Sequence, residues 1–154
     1  MLEQKIILHN RRAKFDYKIE GVIEAGVVLL GPEVKSLRGG AASFNDSFIY
    51  PKGNEVFIHN LYIAPYEHMS SYKIDPLRLR KLLLHKKQVS KLMGLAKKSG
   101  VSIVPLKMYF NSKNFVKLEI AIATGKKKHD KRQAIKDREW GRKKESLFKQ
   151  TIKE

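Results

Sequence analysis

Residues 101–125 read VSIVPLKMYFNSKNFVKLEIAIATG, and they contain two runs in which large apolar side chains alternate with polar or smaller ones. This period of two is typical of β-strands that bury one face. Between the runs, Asn111-Ser112-Lys113-Asn114 has the polar composition of a turn. The stretch therefore predicts an antiparallel hairpin and places the chain in the mostly β class.

Earlier segments predict further strands. Residues 15–20 alternate between apolar and charged side chains, and we expect that strand to continue through residues 27–30. Residues 46–50 and 55–63 predict two more strands, joined by a turn that contains Pro and Gly. The residues before the first of these strands, 1–13, are predicted to form a short arm.

A short helix is predicted to begin at Gly31-Pro32, because Pro is compatible with the first helical turn, and Gly39-Gly40 is predicted to end it. We expect Val34 and Leu37 to face the core. The outward side chains of this helix are predicted to be Lys35, Ser36 and Arg38.

A longer helical segment is predicted to begin at Asp75-Pro76, with Asp as the cap and Pro at the first position. Leucines at helical spacing continue the pattern toward Gly100. We expect either two helices with a break near His85 or one bent helix.

Five or six strands with helices inserted between them predict a small antiparallel barrel of the OB type with about three peripheral helices. Residues 1–124 would form this body, and residues 125–154 would form a basic tail. The large apolar residues of the tail are Ile135, Trp140, Leu147, Phe148 and Ile152. They are too few to offset the entropy of ordering thirty residues, so we expect a tail that is disordered when free and ordered on a polyanion.

The charge of the chain points to a polyanionic partner. The net charge is +17, shared between a body of net +10 and a tail with twelve Lys or Arg against five Asp or Glu. Nucleic acid is the leading choice, because neutralising phosphates releases counterions and favours binding. A membrane is disfavoured since no apolar run reaches the ~18–20 residues of a spanning helix.

The absence of cysteine excludes disulfides and thiolate metal sites. The first fifteen residues lack the apolar core of a signal peptide, so a cytoplasmic location is expected. No zinc-protease spacing or Gly-rich phosphate loop occurs. The pair His129-Asp130 could act as an acid and base, but a general base needs fixed geometry and the pair lies in the predicted disordered tail. We therefore predict no enzyme, cofactor or metal.

The prediction of nucleic-acid binding rests on three basic clusters. They are Asn10, Arg11, Arg12 and Lys14; Lys35 and Arg38; and Lys126, Lys127 and Lys128. In an antiparallel barrel, the start of one strand and the end of another can lie at the same rim, so these clusters could form one phosphate-binding surface. Individually, each could also be a solvated face. The basic residues from Arg78 to Lys98, including Arg80, are interpreted either as the solvated face of the helical segment or as a second RNA contact.

In the tail, Trp140, Leu147 and Phe148 fall on one side of a helical wheel. A basic helix with one aromatic residue can lie in a nucleic-acid groove or stack on a base, with His129 and Trp140 as the stacking candidates. The alternative is a Trp140 that packs back on the barrel.

Four long segments resemble the SsrA-binding protein family, also called small protein B. They are NRRAKFDY at 10–17, EAGVVLLGPEVKSLRGGAASFNDSFI at 24–49, DPLRLRKLLLHKKQ at 75–88 and GKKKHDKRQAIKDREW at 125–140. Pro32 and Phe15 depart from the residues that many relatives carry. Neither departure disturbs the order of the motifs.

The resemblance implies an OB-like barrel that binds the tRNA-like domain of transfer-messenger RNA (tmRNA, or SsrA RNA) and enters stalled ribosomes in trans-translation. It implies that the protein replaces the codon–anticodon helix, contacts small-subunit rRNA, and folds its tail into the empty mRNA channel. Elongation factor Tu would take part through the charged tmRNA. We expect a monomer.

The resemblance also implies the site residues. By matching position, Asn10, Glu24, Lys35, Arg38 and Lys127 would lie on the tmRNA-binding rim. The basic clusters add Arg12, Lys14 and Lys126 to this predicted rim. The decoding-centre tail would comprise His129, Asp130, Lys131, Arg132, Ile135, Lys136, Arg138, Trp140, Leu147 and Phe148. A carboxylate among phosphates is costly unless it accepts hydrogen bonds, so Glu24 would either bind RNA donors or form a salt bridge with Lys35 or Arg38. The alternative function is a general or ribosomal OB-type nucleic-acid-binding protein.

Overall fold

The structure is a computed structural model that describes residues 4–68, 73–126 and 128–151. Within these ranges the strands are β1 (Lys5–His9), β2 (Tyr17–Val27), β3 (Ala42–Ser43), β4 (Phe48–Lys52), β5 (Glu55–His59), β6 (Tyr62–Ile63), β7 (Arg80–Leu83), β8 (Val101–Phe110) and β9 (Val116–Gly125). The helices are α1 (Ala13–Asp16), α2 (Gly31–Arg38), α3 (Lys86–Ala96) and α4 (Lys128–Thr151).

Seven strands form one antiparallel sheet in the order β1-β8-β9-β2-β7-β5-β4, and β3 pairs with β6 in a separate ribbon. The predicted hairpin is confirmed as β8 and β9, which pair from Val101 opposite Thr124 to Phe110 opposite Val116. The sheet curls so that β4 lies against β8. The hydrogen-bonded ladder nevertheless stays open, because no pairing joins β1 to β4 among the described residues.

The concave side of the curled sheet holds the main core. Fully buried side chains of this core include Ile58, Met108, Leu118 and Ile120, and Leu92 of α3 packs among them. Each such side chain contributes about 1.5–3 kcal/mol on burial. The alternation of apolar residues in β8 and β9 is therefore the pattern that organises the core.

A smaller core lies on the outer face of the sheet, beneath α1. Ala13 of α1 packs there against Val104 and Leu106 of β8 and against Ala121 and Ala123 of β9. Small side chains on the strands leave room for the helix backbone to approach closely. This outer core fixes α1, and with it the first basic cluster, on the sheet.

Three expectations for the N-terminal region are wrong. Residues 5–9 form β1, which pairs with the edge of β8, a partner about a hundred residues away that local periodicity does not reveal. Phe15 lies in α1 rather than in a strand, because the Asn10 side chain caps the backbone N–H of Ala13. The strand that follows ends at Val27 rather than continuing to Leu30.

The short helix α2 is confirmed with its predicted start at Gly31 and its end before Gly39. Leu37 is buried and Val34 packs against the core, as expected. The prediction that Ser36 faces outward is wrong. Ser36 is buried because its hydroxyl donates a hydrogen bond to the Ala64 carbonyl at 2.7 Å.

The helix predicted to begin at Asp75-Pro76 is absent. The Asp75 carboxylate instead accepts a hydrogen bond from the backbone N–H of Leu77 at 2.9 Å and closes a turn. The chain then enters β7, in which Arg80 and Leu82 alternate inward. The predicted break near His85 is confirmed, because α3 begins directly after it and the Gln88 side chain accepts a hydrogen bond from the His85 N–H.

The tail forms α4 over 24 residues. Lys127 lies outside the described residues, and the side chains of His129 and Asp130 are likewise outside the description. Among the described helices, none is both long and apolar enough to cross a membrane.

Candidate nucleic-acid interface

The first basic cluster is presented by the junction between β1 and α1. Asn10 anchors this junction, because its amide nitrogen donates to the Pro105 carbonyl at 2.8 Å while its amide oxygen caps Ala13 at 3.2 Å. Arg12 and Lys14 therefore point to solvent on the free side of α1. Both polar ends of the Asn10 side chain are engaged with the protein backbone, and its predicted contact with RNA stays a prediction.

The third basic cluster meets the first at α1. The backbone N–H of Lys126 donates to the Asp16 carbonyl at 3.2 Å, and the Lys126 ammonium donates to the Lys14 carbonyl at 2.8 Å. Arg12, Lys14 and Lys126 thus form one group of cations, which we call the α1 basic surface. Asp16, an anion 3.9 Å from Arg12, balances one charge of this surface. The remaining positive charge would attract phosphates.

The tail helix lies along the same small helix. Lys131 is 3.9 Å from the Asp16 carboxylate, and the Arg138 guanidinium lies 5.0 Å from the centre of the Phe15 ring. Phe15 therefore contacts a cation of α4. Through these contacts α4 extends the α1 basic surface away from the sheet.

The apolar side chains predicted for the tail are exposed. Ile135 and Trp140 are exposed over 41% and 61% of their surface, and Leu147 and Phe148 are exposed further still. Trp140 does not pack back on the sheet, so that alternative is wrong. Its ring lies 5.8 Å from the Lys144 ammonium. Arg132, Lys136 and Arg138 are likewise exposed.

The second basic cluster sits on α2, apart from the other two. Lys35 is exposed and its ammonium lies 5.4 Å from the centre of the Tyr66 ring. Arg38 is exposed at the end of the helix, and the chain continues into the segment 42–47. That segment and residues 8–13 line the two sides of a groove of about 710 Å³. Arg38 itself does not line this groove, so the structure shows no contact between the second cluster and the α1 basic surface among the described residues.

Glu24 lies on the outer face of the sheet, in the middle of β2. Its carboxylate accepts a hydrogen bond from the hydroxyl of Tyr109 on β8. On the intervening strand β9, Glu119 pairs with Lys107 at 3.2 Å. The expected salt bridge from Glu24 to Lys35 or Arg38 is absent among the described residues, because α2 lies beyond the end of the strand.

Sequence analysis missed a buried ionic network under α2. Glu33 and Arg80 are nearly inaccessible to solvent, and the Arg80 Nε donates to the Glu33 carboxylate at 2.6 Å. Arg78 donates to the other oxygen of the same carboxylate at 2.6 Å. Arg80 also donates to the carbonyls of Leu61 and Pro76. The expectation that Arg78 and Arg80 decorate a solvated helix is wrong.

The network keeps Glu33 ionised. Burial alone would raise the pKa of its carboxyl, but hydrogen bonds from Arg78, the Leu30 amide and Arg80 outweigh burial and lower the pKa. Burial also lowers the pKa of Arg80, and its contact with Glu33 opposes that change. One signal was available in the sequence. Glu33 stands three residues after the helix cap, where a carboxylate commonly reaches back to the cap N–H, here that of Leu30 at 2.9 Å.

Among the residues that the structure describes, no group of three or more His, Asp or Glu side chains is arranged as a metal site. The ring of His59 stacks on Phe48, and that of His68 meets Tyr66 edge-on. The chemistry that the described surface offers is therefore that of exposed cations, a hydrogen-bonded carboxylate and aromatic rings.

Comparison with known proteins identifies the family. A family model described as "SmpB protein" matches residues 7–150. The chain belongs to the SmpB family. Its relatives include the SsrA-binding protein of Rickettsia bellii, 49% identical over 147 residues that cover 96% of this chain and 97% of the relative. The SsrA-binding protein of Listeria monocytogenes is 49% identical over 95% of this chain and 94% of the relative. That of Geobacillus thermodenitrificans is 46% identical over 98% and 97%.

The SmpB fold is also found among solved structures. A chain from work described as "tmRNA-SmpB: a journey to the center of the bacterial ribosome" superimposes with a TM-score of 0.67 at 45% identity. The match covers 83% of this chain and 93% of the solved one. The resemblance drawn from the four sequence motifs is therefore confirmed.

Proposed function

We propose that this chain is an RNA-binding protein of trans-translation that binds the tRNA-like domain of tmRNA and brings it to stalled ribosomes. The observation that carries the proposal is the α1 basic surface, in which Lys126 meets Arg12 and Lys14 at the point where α4 begins. The names of the relatives, SsrA-binding proteins, support the same RNA. The role is one of binding and positioning, without a chemical step.

The tmRNA-binding rim that we propose comprises Arg12, Lys14, Lys126 and Lys127, extended by Lys35 and Arg38 on α2. Glu24 belongs to this rim as an acceptor, because the Tyr109 hydroxyl holds its carboxylate in place and leaves acceptor capacity for RNA donors. Asn10 acts by anchoring α1 on the sheet. The curled sheet serves as an OB-like barrel whose outer side carries these groups.

The tail is proposed to act separately from the body, with residues 1–124 as the RNA-binding body and 125–154 as the tail. It is disordered when free and forms a helix in the decoding centre and the empty mRNA channel. His129, Asp130, Lys131 and Arg132 contact the decoding centre. The exposed side chains of Ile135, Trp140, Leu147 and Phe148, with Lys136 and Arg138, make the channel contacts. The protein acts as a monomer in the cytoplasm, and elongation factor Tu joins through the charged tmRNA.

Equilibrium binding to three RNAs tests the function. They are the tRNA-like domain of tmRNA, an ordinary tRNA, and an unrelated duplex with the same number of phosphates, all at physiological salt. We expect a preference for the tRNA-like domain of about 2–3 kcal/mol or more. Equal affinity for all three would instead favour the general OB-type binder, for which affinity follows phosphate count alone.

Deletion of residues 129–154 tests the separation of body and tail. We expect tmRNA affinity to change little, because the deletion leaves Arg12, Lys14 and Lys126 of the α1 basic surface in place, while tagging of stalled products in a reconstituted translation system is lost. The full chain serves as the control in both assays. A parallel loss of affinity and tagging would contradict the separation.

A further inference from the structure

The outer face of the sheet carries a group of aromatic rings on β4 and β5. On β4 and β5 the core residues Ile49 and Ile58 point inward, and side chains alternate along a strand. The outward residues of the two strands are therefore Phe48, Tyr50, Phe57 and His59. We call these four residues the β4–β5 aromatic face.

The four rings are arranged as two cross-strand pairs. Phe48 lies opposite His59, and their rings stack with centroids 4.7 Å apart and planes 5° from parallel. Tyr50 lies opposite Phe57 in the next outward pair. The side chains of Phe48 and Tyr50 remain exposed over 42% and 50% of their surface. Phe57 and His59 are half-buried, so the face exposes two rings, those of Phe48 and Tyr50, with their cross-strand partners beside them.

The fold itself does not require these exposed rings, because the inner residues of the same strands already bury the core. Single exposed apolar residues are normal on protein surfaces. A contiguous group of exposed aromatic rings, in contrast, marks a binding surface.

The surroundings indicate which partner this face fits. Lys52 ends β4 with an exposed side chain, and Lys81 of β7 lies opposite Phe57 on the same face, where its ammonium pairs with Glu55 at 2.7 Å. Farther along β7, Leu83 lies over Gly26, whose added Cβ would come within 3.2 Å of the Leu83 Cβ. Glu24 precedes Gly26 by two residues and shares that face. The aromatic face is therefore continuous with the outer surface to which the proposed rim belongs.

We infer that the β4–β5 aromatic face is a stacking platform for unpaired nucleotides of RNA. Bases stack on exposed aromatic rings with little sequence preference, while nearby lysines attract the phosphates between them. The outer strand faces of OB-type sheets offer such a platform to oligonucleotides. The inference extends the proposed RNA-binding function to a second region of the protein and rests on it.

Binding of single-stranded RNA by the double variant Phe48→Leu/Tyr50→Leu tests the platform. The probe is a labelled RNA of about twelve nucleotides without self-complementarity, within the site sizes known for OB-type domains. The reference is an RNA duplex with the same number of phosphates. We expect the variant to bind the single strand about tenfold more weakly, with duplex affinity and the salt dependence of both unchanged, because no phosphate contact is removed.

Two controls separate loss of stacking from loss of structure. The variant Phe48→Tyr/Tyr50→Phe keeps both rings and should bind the single strand like the wild type. Phe115→Leu removes an exposed ring at the opposite end of the sheet, in the β8–β9 hairpin, and should have no effect. Thermal unfolding of each variant shows whether the sheet is intact, and the conservative variant decides the result if the leucine variant is unstable.

Several outcomes would overturn the inference. Unchanged single-strand affinity in the leucine variant would do so, as would an equal loss for single strand and duplex. Self-association of the wild type that the leucine variant abolishes would assign the face to a second copy of the chain. Selective binding of the tRNA-like domain by the wild type is measured separately. The proposed function and the stacking platform are therefore tested by different results, and either can be rejected without the other.

Discussion

Charged side chains lie in opposite environments in two regions of this protein. Under α2, Glu33 and Arg80 are buried and bound to each other. On α1, Arg12 and Lys14 are exposed and stand beside Lys126 without a matching number of anions. The composition alone does not distinguish the two groups. Burial distinguishes them, because a buried charge needs an oppositely charged partner within the fold. An exposed group of like charges can instead bind an oppositely charged partner molecule.

The largest expected effect is on the buried side. Glu33→Gln would leave Arg80 buried without a counterion, and we expect the free energy of unfolding to fall by about 3–5 kcal/mol. Urea unfolding at neutral pH measures the change. Glu55→Gln is the matched control, since Glu55 pairs with Lys81 at 2.7 Å on the exposed surface and should cost less than about 1 kcal/mol. Similar decreases in the free energy of unfolding of the two variants would contradict the distinction between buried and exposed charges.

Substitutions in the α1 basic surface should weaken RNA binding and leave the stability of the fold nearly unchanged. We expect Arg12→Gln, Lys14→Gln and Lys126→Gln together to weaken binding of the tRNA-like domain and to reduce the slope of affinity against salt by roughly 2–3. The free energy of unfolding should stay within about 0.5 kcal/mol of the wild type. Replacing the exposed Lys5, Lys97 and Lys113 by Gln removes the same charge elsewhere. If this control reduces the slope equally, the position of the charges does not matter.

Acid should weaken the buried network. The pKa of Glu33 is lower in the folded chain than in the unfolded one, so its contribution is complete above the unfolded value of about 4.3 and is lost as the pH falls through the folded value. We expect the stability difference between wild type and Glu33→Gln to narrow as the pH falls below about 4.3. Urea midpoints across this range measure it. A constant difference would mean that ionisation of Glu33 does not stabilise the fold.

The smallest effect is expected where α4 meets α1. Phe15→Leu removes the ring under Arg138, a contact worth about 0.5–1 kcal/mol at an exposed site. Although the rest of the tail is proposed to be disordered when free, this contact holds its first turns, so amide hydrogen exchange over residues 131–138 should accelerate by roughly two- to fivefold. Phe15→Tyr keeps the ring and should leave exchange unchanged. Exchange that is equally fast in wild type and Phe15→Leu would show that this contact does not hold the helix.

The contrast between the two regions also explains which features could be predicted from the sequence. The β8–β9 hairpin follows from local alternation, and α2 follows from Pro32 and the glycines after Arg38, so both were predicted within a few residues. The basic clusters were visible as sequence runs. Their meeting at α1 depended on strand order and was predicted only as one of the possible arrangements.

The errors lie where a distant partner determines local structure. Leucines around Arg80 fit a helix as well as a strand. The segment is a strand that pairs with β2 and β5, and Glu33, 47 residues away, binds the Arg80 side chain. The segment 5–9 becomes a strand because the edge of β8 is open to it. The role of Tyr109 in holding Glu24 spans 85 residues. None of these contacts leaves a local periodic signal.

The strand order also has a consequence for the synthesis of the protein. The first strand, β1, pairs with residues 107–110, and β2 pairs along its length with residues 117–125. Strands β1 and β2 therefore leave the ribosome before the strands that pair with them have been synthesised. At about 5–20 residues per second, the N-terminal strands stay unpaired for several seconds. Their early charged residues, from Lys5 to Lys18, would keep these strands from associating with other nascent chains during that interval.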